Sequence, residues 1–137
     1  MTPLLIHATA VLLLTGVIWT IQLVHYPGFV DVERRQWPSY HRRHSRSISL
    51  IVIPLMLIEL TTSGWLLWHE LSPLHLLFLT CSVFTWVLTA IVFVPLHQRI
   101  GARPNVPHLR KLTRSNWLRT LTWTTSAVAS FLSLMKS

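Results

Sequence analysis

Four stretches of the chain, residues 3–25, 48–68, 74–96 and 117–135, are dominated by apolar side chains, and each is close to the roughly 20 residues an α-helix needs to cross the hydrocarbon of a bilayer. They leave only connections between them. In 137 residues no length remains for a water-exposed core, which excludes a soluble enzyme domain, a dinucleotide-binding Rossmann unit and a disulfide scaffold. The expected fold is all-α, a single-domain integral membrane four-helix bundle whose short connections make consecutive helices antiparallel neighbours.

Charge sets the expected orientation. Lys and Arg total 12 against 4 Asp and Glu, a formal charge of +8. Arg34, Arg35, Arg42, Arg43 and Arg46 fall in loop 26–47, and Arg99, Arg103, Arg110, Lys111 and Arg114 fall in loop 97–116. The positive-inside rule puts both basic loops in the cytoplasm and both termini on the non-cytoplasmic side of a bacterial inner membrane. Anionic lipid headgroups are the expected partners of these loops, and nucleic acid is not, since no recognition fold accompanies the charge. The amino terminus has no positive n-region, and its apolar run continues through Trp19 and Leu23 without a small-residue cleavage site. It is expected to be a span and not a secretory signal. Cys81, the one cysteine, lies inside the third stretch, so an intrachain disulfide or a CxxC couple is impossible.

Tyr26-Pro27-Gly28 is a turn signal, and Trp37-Pro38-Ser39 is the expected start of the second helix, with Pro early in its first turn. From there His41 and His44 share one side while Arg42, Arg43 and Arg46 take the others. Pro54 and Pro95 are expected to kink their helices and open space at the bundle centre, and Gly101 to stop the third helix. Trp37, Trp65, Trp68 and Trp117 sit where interfacial belts anchor helices, whereas Trp19, Trp86 and Trp123 are expected inside the bundle. Thr120, Thr124, Ser126 and Ser130 are ordinary contacts between membrane helices.

Of the 8 histidines, His25, His41, His44 and His97 all fall at the expected cytoplasmic end. These four are the candidate ligands of a transition metal, since imidazole suits iron, copper and zinc. For any one of them alone, an interfacial polar residue is the simpler account. A haem is an alternative cofactor, because His7 and His25, and His75 and His97, lie nearly in line on their helices. The separations of about 27 and 33 Å, however, place two irons at or beyond the hydrocarbon edges. His69 and His75 otherwise look like outer-loop polar residues.

Glu59 lies roughly 16 Å into its span, where an isolated carboxylate costs a few kcal/mol or more. It is expected to face the interior, either as a proton relay or substrate contact or as a neutral acid bonded to a Thr or Trp of a neighbouring helix. Asn116, Arg119 and Trp123 share one face as the last stretch begins, so that Arg119 either clamps an anionic or oxygen-rich group or anchors to headgroups.

The runs WTIQLVHYPGF, YHRRHS, IPLMLIE, FVPLHQRIG and NWLRTLTW resemble those of a group of small bacterial four-helix membrane proteins. Through Pro95-Leu96 with Gly101, followed by Asn116 and Arg119, the last third of the chain is also loosely similar to the anthrone oxygenase-like family. That resemblance implies oxygenation of polycyclic phenolic compounds and assigns Asn116 and Arg119 to the site; the histidine cluster is not part of it.

The expected function is a membrane-embedded, metal-dependent oxidoreductase or oxygenase acting on a lipophilic small molecule. In it His25, His41, His44 and His97 hold the metal, Asn116 and Arg119 orient substrate or oxygen, and Glu59 handles protons. The alternative is a non-catalytic accessory subunit of a larger membrane complex, or a homo-oligomer, binding haem or pigment or serving structure alone. A proton-coupled transporter subunit has less support, because no inverted repeat is visible.

Overall fold

A computed structural model describes residues 2–136, which form four long rods, α1 (Thr2–Asp31), α2 (Trp37–His69), α3 (Pro73–Gly101) and α4 (Val106–Leu134). The rods are joined by residues 32–36, 70–72 and 102–105. Each start has a sequence cause. The Ser72 hydroxyl accepts from the backbone N–H of His75, and the Asn105 carboxamide from that of His108, both at 3.2 Å, with a proline in the first turn of each helix. Helix α2 starts at Trp37, as expected.

Neither α1 nor α3 is a plain α-helix. Each contains a π-helical segment, Ile21–His25 in α1 and Thr89–Phe93 in α3, closed by i to i−5 bonds from Tyr26 N–H to Ile21 O and from Val94 N–H to Thr89 O. Pro27 and Pro95 stand two residues beyond the ends of these segments. A helical proline collides with the carbonyl four residues before it, here that of Leu23 or Ile91, and the wider turn makes room for the ring. Pro54, in contrast, lies inside the regular part of α2.

The helices pack α1 on α2, α2 on α3, α3 on α4 and α4 back on α1, the closed ring that short connections produce. Their surface is apolar outward: Leu50 is 71% exposed, Ile91 67% and Leu121 57%, whereas Glu59 and Asn116 are fully buried. Three helices, α1, α2 and α3, are long and apolar enough to cross a membrane. Four spans were expected; α4 is equally long but too polar along its length to meet the same measure. Its polar side chains Asn116, Arg119, Thr120, Ser126 and Ser130 face the bundle, and Leu118, Leu121, Val128 and Phe131 face out.

Two apolar clusters fill the interior. The larger, at the end of the basic connections, contains Leu14, Phe29, Trp37, Met56, Phe93, Leu112 and Trp123; the smaller, at the other end, contains Leu4, Leu66 and Phe78. Between them each of α2, α3 and α4 places buried polar groups: Glu59 and Ser63, Ser82 and Thr85, and Ser126.

Candidate functional site

A cavity of about 900 Å³ opens between α2 and α3 at the end carrying the larger cluster, a size in the range of small-molecule sites. Val52, Met56, Trp86 and Phe93 supply apolar wall, and His41, His44, His97 and Arg119 are among its polar groups, together with Tyr26, Arg42 and Gln98. Ile53, Ala90 and Val94 also line it and are exposed on the outer surface of the bundle. The opening therefore faces the apolar flank of the molecule.

The four expected histidines converge, but as two pairs. His97 Nδ1 meets His41 Nε2 at 3.0 Å and His97 Nε2 meets the Tyr26 hydroxyl at 3.2 Å. Both nitrogens of His97 are thus spent within the protein. His41 stacks on Trp37 at 5.3 Å between ring centroids. The second pair, His25 and His44, has its rings 5.5 Å apart, with His44 packed edge-on to Phe29 and parallel to Tyr40. Among the described residues no group of three or more His, Cys, Asp or Glu side chains is arranged to hold a metal ion.

Arg119 reaches the cavity from α4 and is nearly buried. Its guanidinium lies 4.5 Å from the Phe93 ring centroid and 5.0 Å from that of Trp123, and it interacts electrostatically with Tyr26. Aromatic faces stabilise the cation without consuming its N–H donors, and Nε has no hydrogen-bond partner. A planar donor group with unspent capacity beside an apolar cavity fits an anionic or carbonyl oxygen.

Asn116 is fully buried and does not line the cavity. Its amide donates to Gln22 Oε1 at 3.0 Å, and Gln22 Nε2 donates in turn to the Thr113 carbonyl at 3.2 Å. Gln22 was missed from sequence, although a lone carboxamide inside an apolar span is itself a signal. It sits in the π segment of α1.

Glu59 is also remote from the cavity lining. Its Oε2 accepts from Trp123 Nε1 at 3.1 Å, the Trp partner that sequence allowed for. Two placements are corrected. Trp37 is fully buried and donates its indole N–H to the Ile100 carbonyl, because α3 ends beside the start of α2, so it is not an interfacial anchor. His75 is buried near Phe78, with Nδ1 2.9 Å from the Glu70 carbonyl, so it is not a loose outer-loop residue. Trp65, Trp68 and Trp117 are exposed as expected. Of the histidines considered for haem, His97 is hydrogen-bonded to His41 and Tyr26, and His7 to Thr62. No protein-family model, curated protein or solved structure matches this chain.

Proposed function

We propose that the chain is a membrane-embedded protein that takes a lipophilic molecule from the bilayer through the opening between α2 and α3 and presents the molecule's oxygen-bearing end to Arg119, His41 and His97. The observation that carries this reading is a cavity with largely apolar walls into which the buried Arg119 and the histidines His41, His44 and His97 bring polar groups. Arg119 would hold a phenolate, carboxylate or carbonyl oxygen. The row Tyr26, His97, His41 is a hydroxyl and two imidazoles in hydrogen-bond contact, a chain along which a proton moves to or from a bound substrate. In this reading α4 is the fourth span, the basic connections face the cytoplasm of a bacterial inner membrane and bind anionic headgroups, and both termini lie opposite.

Metal-dependent oxidation, including oxygenation of a phenolic substrate, is the second reading. It is favoured by one fact, that His41, His44 and His97 line the same cavity as Arg119. Iron or copper held there would supply the redox chemistry, and Asn116 would act only indirectly, through Gln22 and the packing of α4 on α1.

Protein purified in nanodiscs without a metal column tests both. Mass spectrometry of extracted small molecules is expected to find a lipophile near one per chain in the wild type and at least tenfold less in Ala90→Trp, which fills the mouth of the cavity. Equal amounts in the two proteins would refute the cavity reading. Iron, copper or zinc near one per chain, lost in a His41→Ala, His44→Ala double variant, would move the assignment to the oxidoreductase. A stoichiometric co-purifying protein would favour the accessory subunit.

A further inference from the structure

Behind Trp123, away from the cavity, four buried side-chain atoms have no hydrogen-bond partner, one from each helix: His7 Nε2, Glu59 Oε1, Ser82 Oγ and Ser126 Oγ. All four residues are fully buried, and such groups are rarely left unsatisfied without a functional or solvent reason. One of them, His7, is in contact with Glu59, and the two serines stand on the chain beside residues that interact with it. The His7 ring lies against the Glu59 backbone and bonds Thr62 Oγ1 at 3.1 Å, while Thr62 reaches the Glu59 carbonyl at 3.2 Å. Ser126 is one helical turn from Trp123, whose indole holds Glu59. Ser82 adjoins Cys81, which is within electrostatic range of Glu59.

The hydrogen-bond pattern assigns the protons. Thr62 spends its hydroxyl hydrogen on the Ile58 carbonyl at 2.6 Å, so at Thr62 Oγ1 the imidazole must donate. His7 therefore carries its hydrogen on Nδ1, and Nε2 is a bare acceptor. Glu59 Oε2 accepts from Trp123, so in the neutral acid Oε1 is the oxygen that carries the hydroxyl hydrogen. No ion pair to Glu59 is formed among the described residues, and the Arg119 guanidinium packs on the Trp123 ring. A neutral acid is the state that a low-dielectric interior favours. A donor on Oε1 and a bare acceptor on His7 are complementary, and one water molecule with two to four polar partners joins such a set.

We propose that the bundle interior holds a proton-carrying site separate from the lateral cavity, in which Glu59 is a neutral acid that shares its proton, through one bound water, with His7 Nε2, and Ser82 and Ser126 complete the water's partners. Transfer breaks the Glu59 Oε1–H bond, passes a proton through the water and forms the His7 Nε2–H bond, converting a neutral pair into carboxylate and imidazolium. Cys81 and His75 are the other titratable groups within electrostatic reach.

Infrared spectroscopy of the full-length protein in nanodiscs tests this. The wild type is expected to show a protonated-carboxyl carbonyl stretch that is lost in Glu59→Gln and moves to higher frequency in His7→Phe as its hydrogen bond weakens. Loss of no band in Glu59→Gln, or an unchanged band in His7→Phe, overturns the proposal. So does disappearance of the band when sodium replaces choline, which would make the site a cation site. Should either variant fail to fold, nitrogen NMR of wild-type protein labelled in histidine decides: a ring protonated on Nδ1 with a hydrogen-bonded, bare Nε2 is expected at His7, and a proton on Nε2 at rest refutes it.

Discussion

Trp123 serves two buried charge-bearing side chains at once, its N–H on Glu59 and its ring face under Arg119. The two functions separate by substitution. Trp123→Phe keeps an aromatic face but strips Glu59 Oε2 of the indole hydrogen bond, and is expected to cost about 1–3 kcal/mol of stability, the usual penalty for orphaning a buried polar atom. Trp123→Leu removes the aromatic face as well and is expected to cost more. Thermal unfolding in a common detergent ranks the three proteins; equal midpoints for wild type and Trp123→Phe would deny that the bond contributes. At this scale the sequence was partly legible. Helical spacing alone put Asn116, Arg119 and Trp123 on one face, and the cost of a buried carboxylate turned Glu59 inward. Partners were harder to read, because the pairing of Gln22 with Asn116 and of Trp37 with the Ile100 carbonyl depends on which helix ends lie side by side. No local pattern encodes that.

The two π segments explain how the helices deliver those residues. Each accommodates a proline, and each lies where its helix borders the cavity, through Ile21 and Tyr26 on α1 and through Thr89, Ala90 and Phe93 on α3. Pro95 was expected to kink its helix, whereas Tyr26-Pro27-Gly28 was read as a turn and instead continues α1 to Asp31; the extra residue in each helix was not visible in the sequence. A π segment accommodates one residue beyond the α-helical count, so every side chain after it keeps a facing that a continuous α-helix would have rotated by about 100°. Deleting Ala90 is therefore expected to convert the segment to α-helix while leaving Phe93 and His97 facing inward. Deleting Leu79, in the regular part of the same helix, has no such reserve and rotates all that follows. The Ala90 deletion should keep a cooperative unfolding transition and lose cavity ligand, whereas the Leu79 deletion should fail to fold. Similar unfolding of the two deletion proteins would show that the π turn does not absorb a residue.

For the whole molecule, the decisive property is the inverted distribution of polarity, with leucine and isoleucine outward and Glu59, Asn116, Arg119 and serines inward. Apolar stretches and basic loops announced this architecture, and α4 was recognisable as its fourth rod although its inward polar face lowers its hydropathy. Lipid-facing and protein-facing polarity cannot be averaged over one helix without losing that distinction. Cysteine placement tests the orientation, because the one native thiol, Cys81, is buried and can be replaced by alanine to give a blank background. Single cysteines at Arg35 and Arg110, exposed near the basic end, and at Glu70, exposed in the opposite connection, are then probed with a membrane-impermeant thiol reagent. In right-side-out vesicles only Glu70→Cys is expected to react, and in inverted vesicles only the other two. Labelling of Arg35→Cys and Arg110→Cys from opposite faces would break the even number of crossings between them and remove one span from the bundle. Labelling of all three from the same face would instead mean that the bundle does not cross the membrane between its ends, and the lateral cavity would then open to an interface and not to the acyl chains.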